Sequence, residues 1–291
     1  DAVNFNQDIS SWDISNINSL RFVFDNAKSF NQDLSSWNVS HITEFRDMMG
    51  NSGLSVQNYD NLLIGWNQLN SLSDPELFGA IGLQYCMGEA ARQNIMTTYT
   101  WTFDDAGKNC SAYDNAFKSQ WNTSETTGGS SDNKTIALPL ENGGIYNFTV
   151  YWGDGSNDAI TSWNQAEVNH TFASEGVYNL TIVGEIVGFR FNDGGDRNKI
   201  YDISNWGDLR VGNNGSYFYG CSNLVGTASD ALNLSGTTDL SWMFTVATNF
   251  NGNISSWNIS EVTQMRNLFN NADNFNQDIS GWDVSGTTDM D

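Results

Sequence analysis

Apolar and polar positions recur along this chain at a fixed interval of 25 residues. The segment FNQDISSW at residues 5–12 returns at 30–37, and two further copies stand at 250–257 and 275–282. A coil of this length cannot bury its own aromatic rings, so coils must stack and share one core. The pattern predicts a mainly β fold with a short parallel strand in each coil, around residues 15–20 in the first. The Asn or Asp after each Trp is expected to bond the backbone of the neighbouring coil.

The FNQDISSWD-type segments, with the Met/Leu–Phe pair that trails each of them, resemble the BspA-type leucine-rich repeat of bacterial and protist surface proteins. The resemblance covers roughly residues 1–57 and 200–291. It implies leucine-rich-repeat-type solenoid coils used for adhesion or surface display, without catalysis. We therefore expect the end of one solenoid at 1–57 and the start of a second at 189–291.

Between the repeats, residues 58–112 are expected to form a small helical cap over the first solenoid. Leu62, Leu63 and Trp66 have helical spacing, and a second helix is predicted over 85–99. The segment looks like the one that follows the repeats in BspA-type proteins. We predict a Cys86–Cys110 disulfide, which would mark an oxidising compartment; two free cysteines are the alternative. Cys221 is then a buried thiol or, alternatively, an intermolecular bridge.

A polar stretch rich in Gly, Ser and Thr at 113–132 indicates a linker, and strand-like segments follow over 133–188. The motifs YWGDGS at 151–156 and HTF at 170–172 resemble a PKD-type, immunoglobulin-like β-sandwich. The resemblance implies a reduced PKD-like sandwich with strands at 135–140, 146–152, 167–172 and 178–186.

The net charge of −22, from 34 acidic and 12 basic residues, disfavours nucleic acid as a partner. Because no run of about 18 apolar residues occurs, no membrane insertion is expected. The acidity is compatible with calcium, for which Asp154 gives a weak hint, but a turn-forming Asp is the better interpretation. We expect no cofactor and no metal site.

Nothing in the sequence predicts an enzyme. His41 occupies a variable repeat position, and His170 lies in a predicted strand. The carboxylates Asp8, Asp33 and Asp278 recur at one repeat position, which indicates a structural role because an active site is usually unique. No metalloprotease, nucleophile-elbow or phosphate-loop motif is present.

Asn-linked glycans are the covalent chemistry that the sequence allows. Eleven Asn-x-Ser/Thr sequons are candidate sites: Asn38, Asn109, Asn122, Asn133, Asn147, Asn169, Asn179, Asn214, Asn233, Asn253 and Asn258.

These features predict a non-catalytic extracellular or cell-surface structural protein. Its expected partners are copies of itself, joined head to tail in a filament or fibre, or adjoining modules of a longer chain. The alternative is an adhesin that recognises a host protein or glycan through the solenoid face.

Overall fold

The structure is a computed structural model that describes residues 2–74 and 77–290. The chain divides into two compact units. The first comprises Asp1–Tyr113 with Gly155–Asn157, and the second comprises Asp114–Asp154 with Asp158–Asp291.

The first unit begins with repeat coils made of turns and continues into two helices. Helix α1 spans Val56–Asn67, and the Ser55 side chain caps it by accepting a hydrogen bond from the Asn58 amide. Helix α2 spans Glu89–Tyr99. Two short strands, β1 (Leu77–Phe78) and β2 (Thr102–Phe103), pair in parallel. Four buried rings pack together beneath these elements: Phe45, Trp66, Phe78 and Trp101.

The second unit contains most of the β-structure. Its strands are β3 (Phe117–Asn122), β4 (Thr135–Ala137), β5 (Leu140–Tyr151), β6 (Asn157–Ile160), β7 (Asn169–Thr171), β8 (Val177–Phe189), β9 (Ile200–Asn205) and β10 (Leu209–Arg210). Five of them lie in the order β6-β5-β8-β3-β9, with β10 pairing in parallel along the far end of β8. Strands β4 and β7 form a separate antiparallel pair. One hydrophobic core joins the sheet to the repeat coils that follow it.

The prediction of a leucine-rich-repeat solenoid is wrong. Within the described part of the repeats, residues 2–50 and 211–290, the backbone forms turns and single parallel bridges such as Ser19 with Glu44, and no strand or helix. The physical reason is the backbone conformation of the coil. Phe22 and Asn26 have φ values of 58° and 56°, and six equivalent residues are also left-handed: Asp47, Asn51, Trp242, Val246, Asn267 and Asn271. These residues turn the chain just after the predicted strand. Within 15–20 itself, a turn closed by the Ile17 amide on the Ile14 carbonyl leaves only the single bridge at Ser19.

The prediction of a reduced PKD-like sandwich over 133–188 is also wrong. The main sheet takes β3 from before that segment and β9 and β10 from after it. Strand β3 lies between β8 and β9 and pairs antiparallel with both. It therefore falls inside the stretch that the sequence suggested was a linker. The linker was predicted from the polar residues after Asn122. Just before them, Phe117, Ser119 and Trp121 point inward at alternate positions, as residues of a strand do.

The predicted disulfide is present. Cys86 and Cys110 are bonded, with their Cα atoms 5.0 Å apart. The third cysteine, Cys221, is a free and fully buried thiol whose pKa burial raises well above its ordinary value. No helix in the described ranges is long and apolar enough to cross a membrane.

Removing the disulfide is expected to destabilise the first unit by about 3 kcal/mol, since the bond closes a loop with a sequence separation of 24 residues. Cys86→Ser with Cys110→Ser should lower the midpoint of urea unfolding, and wild type under reducing conditions should show the same shift. Cys221→Ser is the control for loss of a thiol outside that loop. An unchanged midpoint in the double variant would contradict a stabilising role for the bond.

Candidate interaction surface

Neighbouring repeat coils are joined by one set of contacts that recurs throughout the repeats. In the first unit the amides of Leu20 and Phe24 donate to the carbonyls of Glu44 and Met48. The same ladder returns in the second unit, for example from Leu240 to Gln264 at 2.8 Å. These bonds link one coil to the next.

Side chains add a second ladder beside the backbone one. Asn6 Oδ1 accepts from the Asn31 amide at 2.8 Å and from Gln32 Nε2 at 2.8 Å. Asn251 repeats both contacts with its neighbouring coil. The Asn or Asp after each Trp, where the sequence suggested a ladder, instead accepts from the Ser two residues later in its own coil: Asp13, Asn38, Asn258 and Asp283.

The repeated tryptophans make the third type of contact. Trp37 Nε1 donates to the Ile9 carbonyl at 3.1 Å, and Trp282 Nε1 donates to the Ile254 carbonyl at 3.1 Å. The phenylalanine rings stack from coil to coil, with Phe5 and Phe30 centroids 6.0 Å apart. In these side-chain contacts each coil donates to the coil before it and accepts from the coil after it, whereas the backbone ladder runs in the opposite direction.

The first coil exposes the side that carries these side-chain donors, which we call the leading face and define by Phe5, Asn6, Gln7, Trp12 and Ile17. Trp12 is 60% exposed, whereas the equivalent Trp37 is 3% exposed. Among the described residues, nothing accepts a hydrogen bond from the Asn6 amide, Gln7 Nε2 or Trp12 Nε1. The equivalent groups one coil later are all bonded.

The last coil exposes the opposite side, which we call the trailing face and define by Phe275, Asn276, Ile279, Val284 and Met290. Met290 is 60% exposed, while its equivalent Met265 is 7% exposed. Asn276 Oδ1 accepts no hydrogen bond within the described ranges, and the Ile279 carbonyl accepts only from Trp282 of its own coil. The corresponding acceptors one coil earlier, Asn251 Oδ1 and the Ile254 carbonyl, are also bonded by the following coil.

The two faces therefore match in chemistry and register. Three donors on the leading face correspond to two acceptors on the trailing face, at the same repeat positions that bond between interior coils. The part-buried rings of Phe5 and Phe275 stand at the repeat position whose rings stack between interior coils, as Phe250 stacks on Phe275 at 6.1 Å. An apolar patch with this polar pattern is typical of an association surface.

The recurring carboxylates are structural. Asp8, Asp33 and Asp278 each accept from the amide of the Ser two residues later, at 2.9, 2.8 and 2.9 Å. This hydrogen bond lowers the pKa of Asp8 and of Asp278 below the ordinary value of 3.8. Each of these carboxylates thus holds a local turn in place.

The two histidines lie in different environments. His41 Nε2 lies 3.1 Å from the Ile14 carbonyl on the preceding coil. His170 stacks on Trp152 and lies 2.8 Å from Asp154 Oδ2. Throughout 2–74 and 77–290, no group of three or more His, Cys, Asp or Glu residues is arranged to hold a metal ion.

The sequons fall into groups by the role of the Asn side chain. Six of them accept from a Ser amide two residues on through Oδ1: Asn38, Asn109, Asn122, Asn233, Asn253 and Asn258. Four others are exposed on strands or turns: Asn133, Asn147, Asn169 and Asn179. Asn214 donates to Glu141 Oε2 at 3.0 Å, so its side-chain nitrogen is engaged. Whether any sequon carries a glycan stays a prediction.

Together, the coils, the sheet and the disulfide define a mainly β repeat protein with exposed, complementary end faces. A comparison with protein families matches residues 1–71 and 190–291 to a family described as Mycoplasma protein of unknown function, DUF285. These ranges contain more than half of the sequence, so the chain belongs to the DUF285 family.

The comparison with curated proteins and the comparison with solved structures find no match. The identification as a BspA-type leucine-rich repeat protein with a PKD-like segment is therefore corrected to membership of the DUF285 family. All of residues 133–188, including the motifs that suggested a PKD domain, lie outside the matched ranges.

Proposed function

We propose that this protein is a non-catalytic, extracellular structural protein whose copies associate head to tail into a fibre. The observation that carries the proposal is the match between the leading and trailing faces. Trp12, Asn6 and Gln7 of one copy would meet Ile279 and Asn276 of the next in the register that interior coils already use. Because the two faces differ, each contact leaves one face of each copy free for a further copy, and contacts of this kind form fibres when their rotation does not close a ring.

Three further features support an extracellular structural role. The Cys86–Cys110 disulfide is typical of proteins from oxidising compartments. The recurring carboxylates Asp8, Asp33 and Asp278 each hold a turn, which is a structural role. A net charge of −22 favours solubility of the separate subunits before they assemble.

Trp12→Arg is expected to abolish association, because it places a charge where an apolar ring would be covered. Sedimentation velocity should show wild-type chains growing with concentration, and electron microscopy should show fibres. The variant should stay monomeric and keep its unfolding midpoint, because Trp12 is 60% exposed. Trp163→Arg is the matched control: Trp163 is 40% exposed and lies on neither face.

A mixing experiment tests the head-to-tail geometry itself. Met290→Arg should block the trailing face and leave the leading face intact, so this variant alone should also be monomeric. Mixed with Trp12→Arg, it should form dimers that grow no further, since each dimer buries the one intact face of each partner. Wild type that is monomeric at all concentrations, or a mixture without dimers, would refute the proposal.

A further inference from the structure

One turn of the coil carries a different side chain in the end coils than in the coils between them. The residue after the repeated Trp, or after Leu232 in one coil, begins this turn, and its Oδ1 accepts from the Ser amide two residues later at 3.0–3.2 Å. The first coil has Asp13 at this turn position, and the last coil has Asp283. The coils between them have asparagine, at Asn38, Asn233 and Asn258. Because asparagine makes the same hydrogen bond, the turn itself does not require the carboxylates of the end coils.

Stacking places the turn positions of neighbouring coils side by side. In the first unit, Trp37 Nε1 donates to the Ile9 carbonyl just before the turn, and His41 Nε2 contacts the preceding coil just after it. Stacked rings from neighbouring coils have centroids 5.8–6.1 Å apart, which gives the separation of the coils. Each pair of neighbouring turn positions within the chain holds at most one carboxylate: Asp13 with Asn38, Asn233 with Asn258, and Asn258 with Asp283.

A head-to-tail contact between copies would differ, because it brings the two end coils together. In the register of the interior coils, Asp13 of one copy lies beside Asp283 of the next, and Asp8 lies beside Asp278. All four carboxylates are exposed, and none forms an ion pair within the described ranges. Hydrogen bonds from the Ser two residues later lower the pKa of each of them below 3.8, so all four are charged at neutral pH.

We infer that these carboxylates make association between copies dependent on ionic strength, an inference that rests on the head-to-tail contact of the proposed function. Like charges that face each other across a contact oppose it. Two carboxylates about 6 Å apart in water weaken association about threefold, and the two pairs together weaken it about tenfold. Salt screens this repulsion, since the Debye length falls from about 30 Å at 0.01 M to about 3 Å at 1 M. Copies therefore stay apart in dilute salt and assemble as the ionic strength rises.

A double-mutant cycle across a single contact tests this inference. Met290→Arg and Trp12→Arg chains, when mixed, form only a dimer, in which the first chain supplies Asp13 and the second supplies Asp283. Its dissociation constant is measured by sedimentation equilibrium at about 0.01 M and about 1 M NaCl. Asp13→Asn in the first chain, or Asp283→Asn in the second, should tighten the dimer about threefold at the lower salt concentration and have no effect at the higher one. Both substitutions together should tighten it no further, because either one already removes the pair of like charges.

Asp132→Asn is the matched control for the loss of one negative charge. Asp132 is exposed and lies on neither face, and its Oδ1 accepts from the Lys134 amide two residues later at 3.0 Å. In either chain this substitution should leave the dissociation constant unchanged. All chains are made without Asn-linked glycans, because the two substitutions at the turn position create sequons.

The outcomes separate this inference from the contact on which it rests. The inference is overturned, and the head-to-tail contact stands, if dimers form but neither substitution tightens them, if Asp132→Asn tightens them equally, if the two gains add, or if the gain persists at the higher salt concentration. If no combination of chains forms dimers at either salt concentration, the head-to-tail contact is refuted as well.

Discussion

Lys199→Met is expected to destabilise the second unit by about 3–5 kcal/mol, because it removes one partner of a buried ion pair. Lys199 and Asp196 are both fully buried, with Nζ 3.3 Å from Oδ1. The ammonium also donates to the carbonyls of Ser131, Asp132 and Thr135, at 3.1, 2.6 and 2.8 Å. Methionine would remove one donor from each of these carbonyls and leave the buried carboxylate without its cation.

The Asp196 carboxylate is equally engaged, which allows a sharper test. It accepts from the amides of Ser131 and Ala137, at 2.8 and 2.7 Å. Asp196→Asn should therefore be costly on its own, and the double variant with Lys199→Met should cost less than the sum of the two. Lys134→Met, which removes an exposed lysine bonded to one carbonyl, should stay within about 0.5 kcal/mol of wild type.

Urea unfolding followed by tryptophan fluorescence measures these differences, and hydrogen exchange at the Ser131 and Ala137 amides locates them. The cluster ties the segment before β4 to the turn before β9, so both amides should lose protection in Lys199→Met. If Lys199→Met unfolds at the wild-type urea midpoint, the Lys199–Asp196 ion pair does not stabilise the second unit.

Asp60→Ala is expected to cost at least about 3 kcal/mol in the first unit, since it removes the acceptor of four hydrogen bonds. The fully buried carboxylate accepts from the amides of Cys86, Met87 and Gly88 at 2.8–3.0 Å, and from the Tyr113 hydroxyl at 2.6 Å. The three amides stand at the start of α2, where no residue of the helix can bond them. Burial raises the pKa of Asp60, and the hydrogen bonds from Tyr113 and the amides oppose that rise.

Comparison with Asp60→Asn shows how much of the stability depends on the size of the side chain at position 60 and how much on its charge. Asparagine keeps the size of the side chain and one acceptor oxygen, so it should lose less stability than alanine. Asp114→Ala, at an exposed position, is the control and should change the midpoint by no more than about 0.5 kcal/mol. Hydrogen exchange in the first turn of α2 should accelerate in Asp60→Ala; unchanged protection there would contradict the capping role.

The 25-residue sequence repeat predicted some of the contacts between neighbouring coils. A spacing of 25 residues between identical segments requires stacking, and Trp37 and Trp257 are buried as that argument expects. The helical spacing of Leu62, Leu63 and Trp66 likewise marks a face that is buried in α1. These are local regularities, and a sequence shows them directly.

The strand predicted in each coil was wrong because the pattern of apolar and polar side chains does not determine the backbone dihedral φ. Trp242 and Val246 adopt left-handed φ values of 63° and 58°, which large or β-branched residues rarely do. Hydrogen bonds to the next coil help hold such residues there, from the Trp242 amide to the Arg266 carbonyl and from the Val246 amide to the Asn270 carbonyl. The same limit applies to β3, whose neighbours in the sheet, β8 and β9, lie about 60 and 80 residues further along the chain.

By itself, then, the sequence determined the repeat, the acidic charge, the disulfide partners and the apolar faces of the helices, because each depends on residue type and spacing. The tertiary structure alone decided which side chains bond from coil to coil, where Glu141 and Asn214 meet, and how Lys199 comes to lie beside three carbonyls. Those arrangements join residues distant in sequence, and their energies depend on distance, burial and direction, which no one-dimensional pattern records.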